Sequence, residues 1–284
     1  MAFTWWGFFP LYFRLYPVAR PFEVLANRIV WSLLLVLVVI AWQRRSWRWL
    51  ATVLGRPREL AAFFASSLLL AANWVTYIWA VSSGHVVDAS LGYFMTPLVN
   101  VALGYGFLGE RPRRAQWTAL ALAAAGVAWL TVETGRLPWI GLMLAASFGG
   151  YGLLRKVASL GALEGLTLET MILAPAALVA MACWWGGSAT SFPSSDLLTD
   201  LWLIGLGPAT TVPLLLFAAG ARRLPLTSLG LLQYLSPTVQ FLLGVWLFRE
   251  PLAPAQLVGF SAIWAALAIY SLESWRAARR LASA

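Results

Sequence analysis

Residues 89–117 read ASLGYFMTPLVNVALGYGFLGERPRRAQW, and residues 231–257 read LLQYLSPTVQFLLGVWLFREPLAPAQL. Laid over one another without a gap at an offset of 140, they match at Pro97/Pro237, Val99/Val239, Leu103/Leu243, Gly104/Gly244, Glu110/Glu250, Ala115/Ala255 and Gln116/Gln256. These are seven identities in the twenty positions 97–116. Leu, Ala and Gly coincide by chance in so apolar a chain, but Pro, Glu and Gln do so far less readily. The match therefore reads as an internal duplication.

The composition says where such a duplication sits. Of 284 residues, 61% are hydrophobic and only 11% charged, against roughly 45–50% and about 25% in soluble domains. The chain is expected to lie in a membrane, with room for about ten spans of roughly 20 residues and no separate soluble domain. Ten apolar segments follow one another: 1–17, 22–42, 60–81, 87–108, 115–132, 137–154, 165–185, 201–220, 226–248 and 255–273. The first is short for a span. Between the second and third lies QRRSWRWLATVLGRPRE (43–59), which reads as a basic interfacial stretch with Trp47 and Trp49 at headgroup level.

Arginine placement sets the orientation. With both termini cytoplasmic, the inner connections carry fifteen Arg and Lys residues, from Arg44 and Arg45 through Arg155 and Lys156 to Arg279 and Arg280. The outer connections carry three, Arg20, Arg136 and Arg249. This positive-inside bias predicts cytoplasmic N- and C-termini. Segments five helices apart then run in opposite directions. The expected fold is thus an all-α polytopic membrane protein of ten transmembrane helices in two inverted five-helix repeats, 1–134 and 135–284. Inverted repeats supply two exchangeable states around a site near the bilayer midplane.

Polar residues on apolar faces are the candidates for that site. Tyr93, Pro97, Asn100 and Gly104 share one helical face, and the offset gives them Gln233, Pro237, Gln240 and Gly244 as partners. A proline inside a span frees a backbone carbonyl, and amides offer donors and acceptors. The alternative is that amides and glycines only hold helices together. Asn73 and Tyr77 lie on one face of the third segment. Arg28, two turns into the second, is costly within a bilayer and must find a partner, water or a function; either a substrate carboxylate or an acid such as Glu23 would meet the need. Arg14 lies near a helix end, where it can snorkel. Glu169 reads either as a coupling acid or as a structural partner of Arg155 or Lys156. The candidate substrate-binding set is therefore Arg28, Asn73, Tyr77, Tyr93, Asn100, Gln233 and Gln240, with Glu169, Pro97 and Pro237 as coupling or gating positions. Glu110 and Glu250 read first as acids that fix helix-to-helix turns.

Other chemistries find little support. One histidine, His85, and one cysteine, Cys183, do not make a metal cluster or a nucleophilic constellation, so no cofactor, metal or enzymatic activity is expected. No Gly-rich phosphate loop ending in Lys-Ser or Lys-Thr is present. The net charge of +9 belongs to topological anchoring, and nucleic acid is not an expected partner. The expected partners are a small-molecule substrate and the lipid bilayer.

At the motifs NRIVWS, LLLAANWVTYIWAV, ASLGYFMTPLVNVALGYGFLGERPRRAQW, YGLLRK, TTVPLLLFAAGARRLPLTSLGLLQYLSPT and FSAIWAALAIY, in that order, the chain resembles the RarD-type subgroup of the EamA branch of the drug/metabolite transporter superfamily. The resemblance implies ten helices, two EamA repeats, residence in a bacterial cytoplasmic membrane, and movement of small metabolites or drugs. The competing class is a non-transporting membrane scaffold or sensor on the same bundle, which would tolerate loss of the intramembrane polar residues.

Overall fold

The computed structural model describes residues 2–14, 20–109, 111–184, 192–193, 196–221 and 233–282, and all its regular elements are helical. In chain order they are α1 (Ala2–Gly7), α2 (Phe9–Arg14), α3 (Pro21–Trp42), α4 (Arg48–Leu54), α5 (Pro57–Ser82), α6 (Val86–Leu108) and α7 (Arg114–Thr134). They continue with α8 (Trp139–Val157), α9 (Ala162–Trp184), α10 (Leu197–Ala221), α11 (Leu235–Leu242) running into a π-helical turn (Leu243–Leu247), and α12 (Pro254–Ala282). Seven of the described helices, α3, α5, α6, α7, α9, α10 and α12, are long and apolar enough to cross a membrane. The remaining expected segments appear as α1 with α2, as the glycine-rich α8, and as α11 with its π turn. Glu110, and 226–232 at the start of the ninth expected segment, lie outside the described residues.

Large apolar side chains cover the outer surface: Trp42, Phe107, Val132, Leu198 and Trp246 are all more than 70% exposed. An outer surface of this kind suits hydrocarbon rather than water. Polar groups point inward instead, with Arg28, Asn73, Thr96, Ser147, Glu169 and Gln240 all buried.

Prolines explain much of how α1, α10 and α11 are joined. Pro10 has no N–H, so the carbonyl of Trp6, four residues earlier, loses its helical donor and the first segment breaks at Phe8. Gln240 Nε2 on α11 donates to that carbonyl at 3.0 Å. Pro213 likewise abandons the carbonyl of Ala209, and Trp5 Nε1 donates to it at 3.1 Å. Each freed acceptor inside the bundle thus becomes a link between helices, as hydrocarbon requires. Gln240→Leu is expected to lower the unfolding free energy in mixed micelles by about 1–2 kcal/mol, the cost of an orphaned buried acceptor. Pro10→Ala restores an N–H to Trp6 O, and the double variant should recover most of that loss.

The chain geometry recurs at the offset of 140. Gly109 has φ 65° and Arg249, its equivalent, has φ 54°, so both helices end in the same left-handed turn. Four residues on, Gln116 Oε1 accepts from the Arg113 amide at 2.8 Å, and Gln256 Oε1 accepts from the Ala253 amide at 2.9 Å. The matched glutamines of the sequence thus perform the same N-terminal capping in α7 and α12.

Candidate functional site

A cavity of about 60 Å³ lies where α1, α2, α3, α5, α6, α8, α10 and α11 converge. Seven of the ten candidate positions line it. Arg28, Asn73, Tyr77, Tyr93, Gln233, Pro237 and Gln240 all do. Its volume holds about two water molecules, far below the roughly 300–1,000 Å³ of an open ligand pocket.

Arg28 dominates the electrostatics. Position 28 faces inward because α3 turns Asn27, Arg28, Ile29, Ser32, Val36 and Ile40 to the interior. Its Nε donates to Thr210 Oγ1 of α10 at 2.6 Å. Its guanidinium carbon lies 4.2 Å from the ring centroid of Trp74 and 5.5 Å from that of Phe9, distances at which aromatic faces attract a cation. Nη1 is buried without a hydrogen-bond partner.

Across the cavity, Tyr93 OH donates to Asn73 Oδ1 at 3.1 Å, and Asn73 Nδ2 donates to Leu144 O at 3.1 Å and Ser147 Oγ at 3.0 Å. Asn73 spends its amide on fixing Tyr93 and tying α5 to α8. Tyr77 packs against Tyr93, with centroids 5.7 Å apart, and its buried OH has no partner. Gln240 gives its amide to Trp6 O and Ser236 Oγ, while Oε1 remains unpartnered. Three polar atoms on residues of the cavity wall thus lack a partner: a cationic donor, a hydroxyl and an acceptor.

The other candidates lie elsewhere. Asn100 shares a helical face with Tyr93 but is seven residues on, about 10 Å along the axis. It is exposed, beside Gly149 and Gly152 of α8, and does not line the cavity. Pro97 is buried in α6, also off the cavity. Glu169 is fully buried in a separate cluster, where Ser66 Oγ donates to it at 2.8 Å, Tyr151 OH donates at 3.3 Å, and Arg155 Nη1 lies 3.9 Å away. The structural partner named from sequence, Arg155, is the one observed. Phe9, Phe148 and Ser236 also line the cavity, beyond the polar faces marked by the sequence. Ser236 had a readable signal, one position before Pro237; Phe148 had none, because its helix was not aligned with any polar stripe.

Glu250 does more than fix its own turn. Its two carboxylate oxygens accept from the amides of Val86 and Val87, at 2.9 and 2.8 Å, at the N-terminus of α6. Arg14 Nη2 is 4.0 Å away and lies over the Phe248 ring. An anion at a helix N-terminus meets orphan amides and the positive end of the dipole. Gly244 permits the approach, since a Cβ there would stand 2.8 Å from Val87 Cγ2. Burial pushes the Glu250 carboxyl above the usual carboxylate range, and Asp88 adds to this, against the pull of the two amides and Arg14. A raised acid contributes most below the ordinary glutamate pKa of about 4.3, and that contribution is lost as pH rises through the raised value.

A multi-pass helical bundle with lipid-suited walls and a polar and aromatic cavity is the build of a membrane transporter. The EamA-like transporter family matches residues 1–132. Over 99% of this chain and 94% of its own length, an uncharacterised transporter of Pseudomonas aeruginosa is 46% identical. Protein RarD of Escherichia coli is 40% identical over 98% of this chain and 94% of its own, and a protein RarD of Streptomyces exfoliatus is 43% identical over 98% and 88%. One solved crystal structure superposes with a TM-score of 0.60 over 96% of this chain and 95% of its own, at 20% identity, a likeness of fold alone. The chain belongs to the EamA-like transporter family, among its RarD-type proteins, and is a multi-pass membrane transporter.

Proposed function

We propose that this transporter moves small organic solutes across the bacterial cytoplasmic membrane by alternating access, without ATP hydrolysis, as ten spans in two inverted five-helix halves, 1–134 and 135–284. Both termini face the cytoplasm in this reading, as the arginine bias requires. The observation that carries it is the pairing of helices. Helix α3 packs on α9, α6 on α11, and α7 on α12, each against its own sequence equivalent. Other contacts exchange in pairs: α5 with α9 against α10 with α3, and α6 with α8 against α11 with α1. A pseudo-two-fold axis between two halves produces this pattern, and the cavity lies at the contact of the halves, with Arg28, Asn73, Tyr77 and Tyr93 from one and Gln233, Pro237 and Gln240 from the other.

Alternation needs a closure that can be released, and the Glu250 contact on α6 supplies one at the end that the arginine bias makes external. Glu250→Gln keeps one acceptor and loses the charge, a change of about 1.5 kcal/mol or roughly tenfold in the open fraction. With Cys183 replaced by serine, labelling of Ser236→Cys by an impermeant thiol reagent from the external side should rise in Glu250→Gln. The function itself is tested with purified protein in liposomes, against amino acids, nucleosides, sugars, organic acids and phenicols. Failure to move any of them while the Escherichia coli RarD, reconstituted alongside, moves one would reject the transport reading.

A further inference from the structure

The cavity holds a cation whose counter-charge is missing. Arg28 is 4% exposed, and none of the ion pairs among the described residues includes it. Glu23, five positions earlier on α3, lies about 140° around the helix. Other buried charges in this protein are matched, Glu169 by Arg155 and Glu250 by Arg14 and two amides. Among the described residues Arg28 instead relies on a hydroxyl and two rings, with Nη1 left unpartnered. A guanidinium removed from water without an anion is strongly unfavourable. A planar carboxylate is its natural complement, since the guanidinium fork matches carboxylate geometry.

The rest of the wall describes the body that this anion carries. Phe9 and Trp74 flank the guanidinium, Tyr77, Tyr93 and Phe148 complete the aromatic wall, and the unpartnered Tyr77 OH is a further donor in that wall. At about 60 Å³ the cavity seats a group the size of a carboxylate, and the aromatic walls must part to admit the remainder of a solute.

We propose that the ligand of this cavity is an organic monocarboxylate with an apolar or aromatic body, its carboxylate seated on Arg28 in place of the missing counter-charge. The proposal rests on the cavity being the transporter's solute site, and it names the class of that solute. It also gives Arg28 a part in the cycle: closing the cavity around a bare guanidinium is costly, so a bound carboxylate favours closure.

The test compares acids with their isosteric neutral amides on the full-length protein in micelles. Acetate, phenylacetate, 3-phenylpropionate and octanoate are each paired with the corresponding amide, in chloride-free sulfate buffer, with chloride added in a separate arm. Thermal stabilisation and quenching of Trp6 and Trp74 emission report binding. At least one aryl or alkyl carboxylate is expected to bind about tenfold or more tightly than its amide. Arg28→Gln should abolish that preference, and Arg28→Lys, with its charge but not its fork, should retain part of it. Because the acid–amide comparison uses the wild-type protein, it stands even where Arg28→Gln fails to fold. Equal binding of acid and amide, no binding by any of the four acids, or equal protection by chloride alone would each overturn the assignment. A carboxylate bound in micelles but not moved in liposomes would remove the transport reading and leave the ligand class standing.

Discussion

Replacing Arg155 by methionine is expected to cost about 3–5 kcal/mol of unfolding free energy, the range for removing one member of a buried ion pair. The reason is the imbalance between the partners. Glu169 is fully buried, whereas the Arg155 side chain is 18% exposed. Without Arg155 the carboxylate keeps only Ser66 and Tyr151 as donors, and the Ser66 proton is also sought by Phe63 O at 3.0 Å. Removing Glu169 instead leaves an arginine with access to water and a remaining bond from Nη2 to Gly161 O, so Glu169→Leu should be the milder change. The double variant Arg155→Met/Glu169→Leu should regain most of the stability, because a buried ion pair replaced by apolar groups of similar volume is often neutral. Unfolding in mixed micelles measures all three. A double variant no better than Arg155→Met alone would mean that the pair is not the source of the loss, and that Arg155 acts through its packing over Phe63.

The sequence made the bundle legible because hydrocarbon imposes one rule on every span: apolar length with polar ends. Segments 22–42, 60–81 and 87–108 reappear within a few residues as α3, α5 and α6. The basic stretch 43–59 contains a short helix, α4, and its tryptophans Trp47 and Trp49 stack on each other. The first segment was less legible, since the break at Phe8 depends on Pro10 and on a distant Gln240 to take the freed carbonyl. Polarity within a span, read as a candidate site, brought Arg28, Asn73, Tyr77 and Gln240 to one cavity. The same logic placed Asn100 beside them because helical periodicity gives the face of a residue but not how deep along the axis a cavity extends. Glu250 shows a second limit. Its recurrence at the offset of 140 was visible, but its partners are amides on another helix, and backbone donors leave no mark on the residues that carry them. Gly244, whose missing side chain admits Val87, was readable only as a repeat identity.

Glycines 92 and 141 make the sharpest test of how α6 and α8 meet. They face each other where α6 packs on α8, yet a methyl group has different consequences on the two sides. On Gly92 a Cβ would stand 2.7 Å from Gly141 O, 2.9 Å from Gly141 Cα and 2.9 Å from Leu144 Cβ. Two of these neighbours are backbone and cannot swing aside. On Gly141 the nearest atom to a Cβ is Gly92 N at 3.3 Å, with the next at 3.5 Å, which a small adjustment accommodates. Gly92→Ala is therefore expected to cost about 3 kcal/mol, at the upper end for overpacking. In Gly141→Ala the remaining crowding is offset by the roughly 0.5–1 kcal/mol that alanine gains over glycine within a helix, leaving stability within about 1 kcal/mol of the parent. The effect should extend to the cavity. Tyr93 lies one residue beyond Gly92 and packs edge-on against Phe148 of α8, centroids 6.1 Å apart, and Asn73 holds α5 to Leu144 and Ser147 of the same helix. Forcing α6 from α8 separates these walls, so Gly92→Ala should weaken solute binding as well as stability, while Gly141→Ala leaves both nearly unchanged. Equal losses from the two substitutions would show that helix separation is not the cause and that the tight approach at Gly92 is relieved by movement elsewhere in α6.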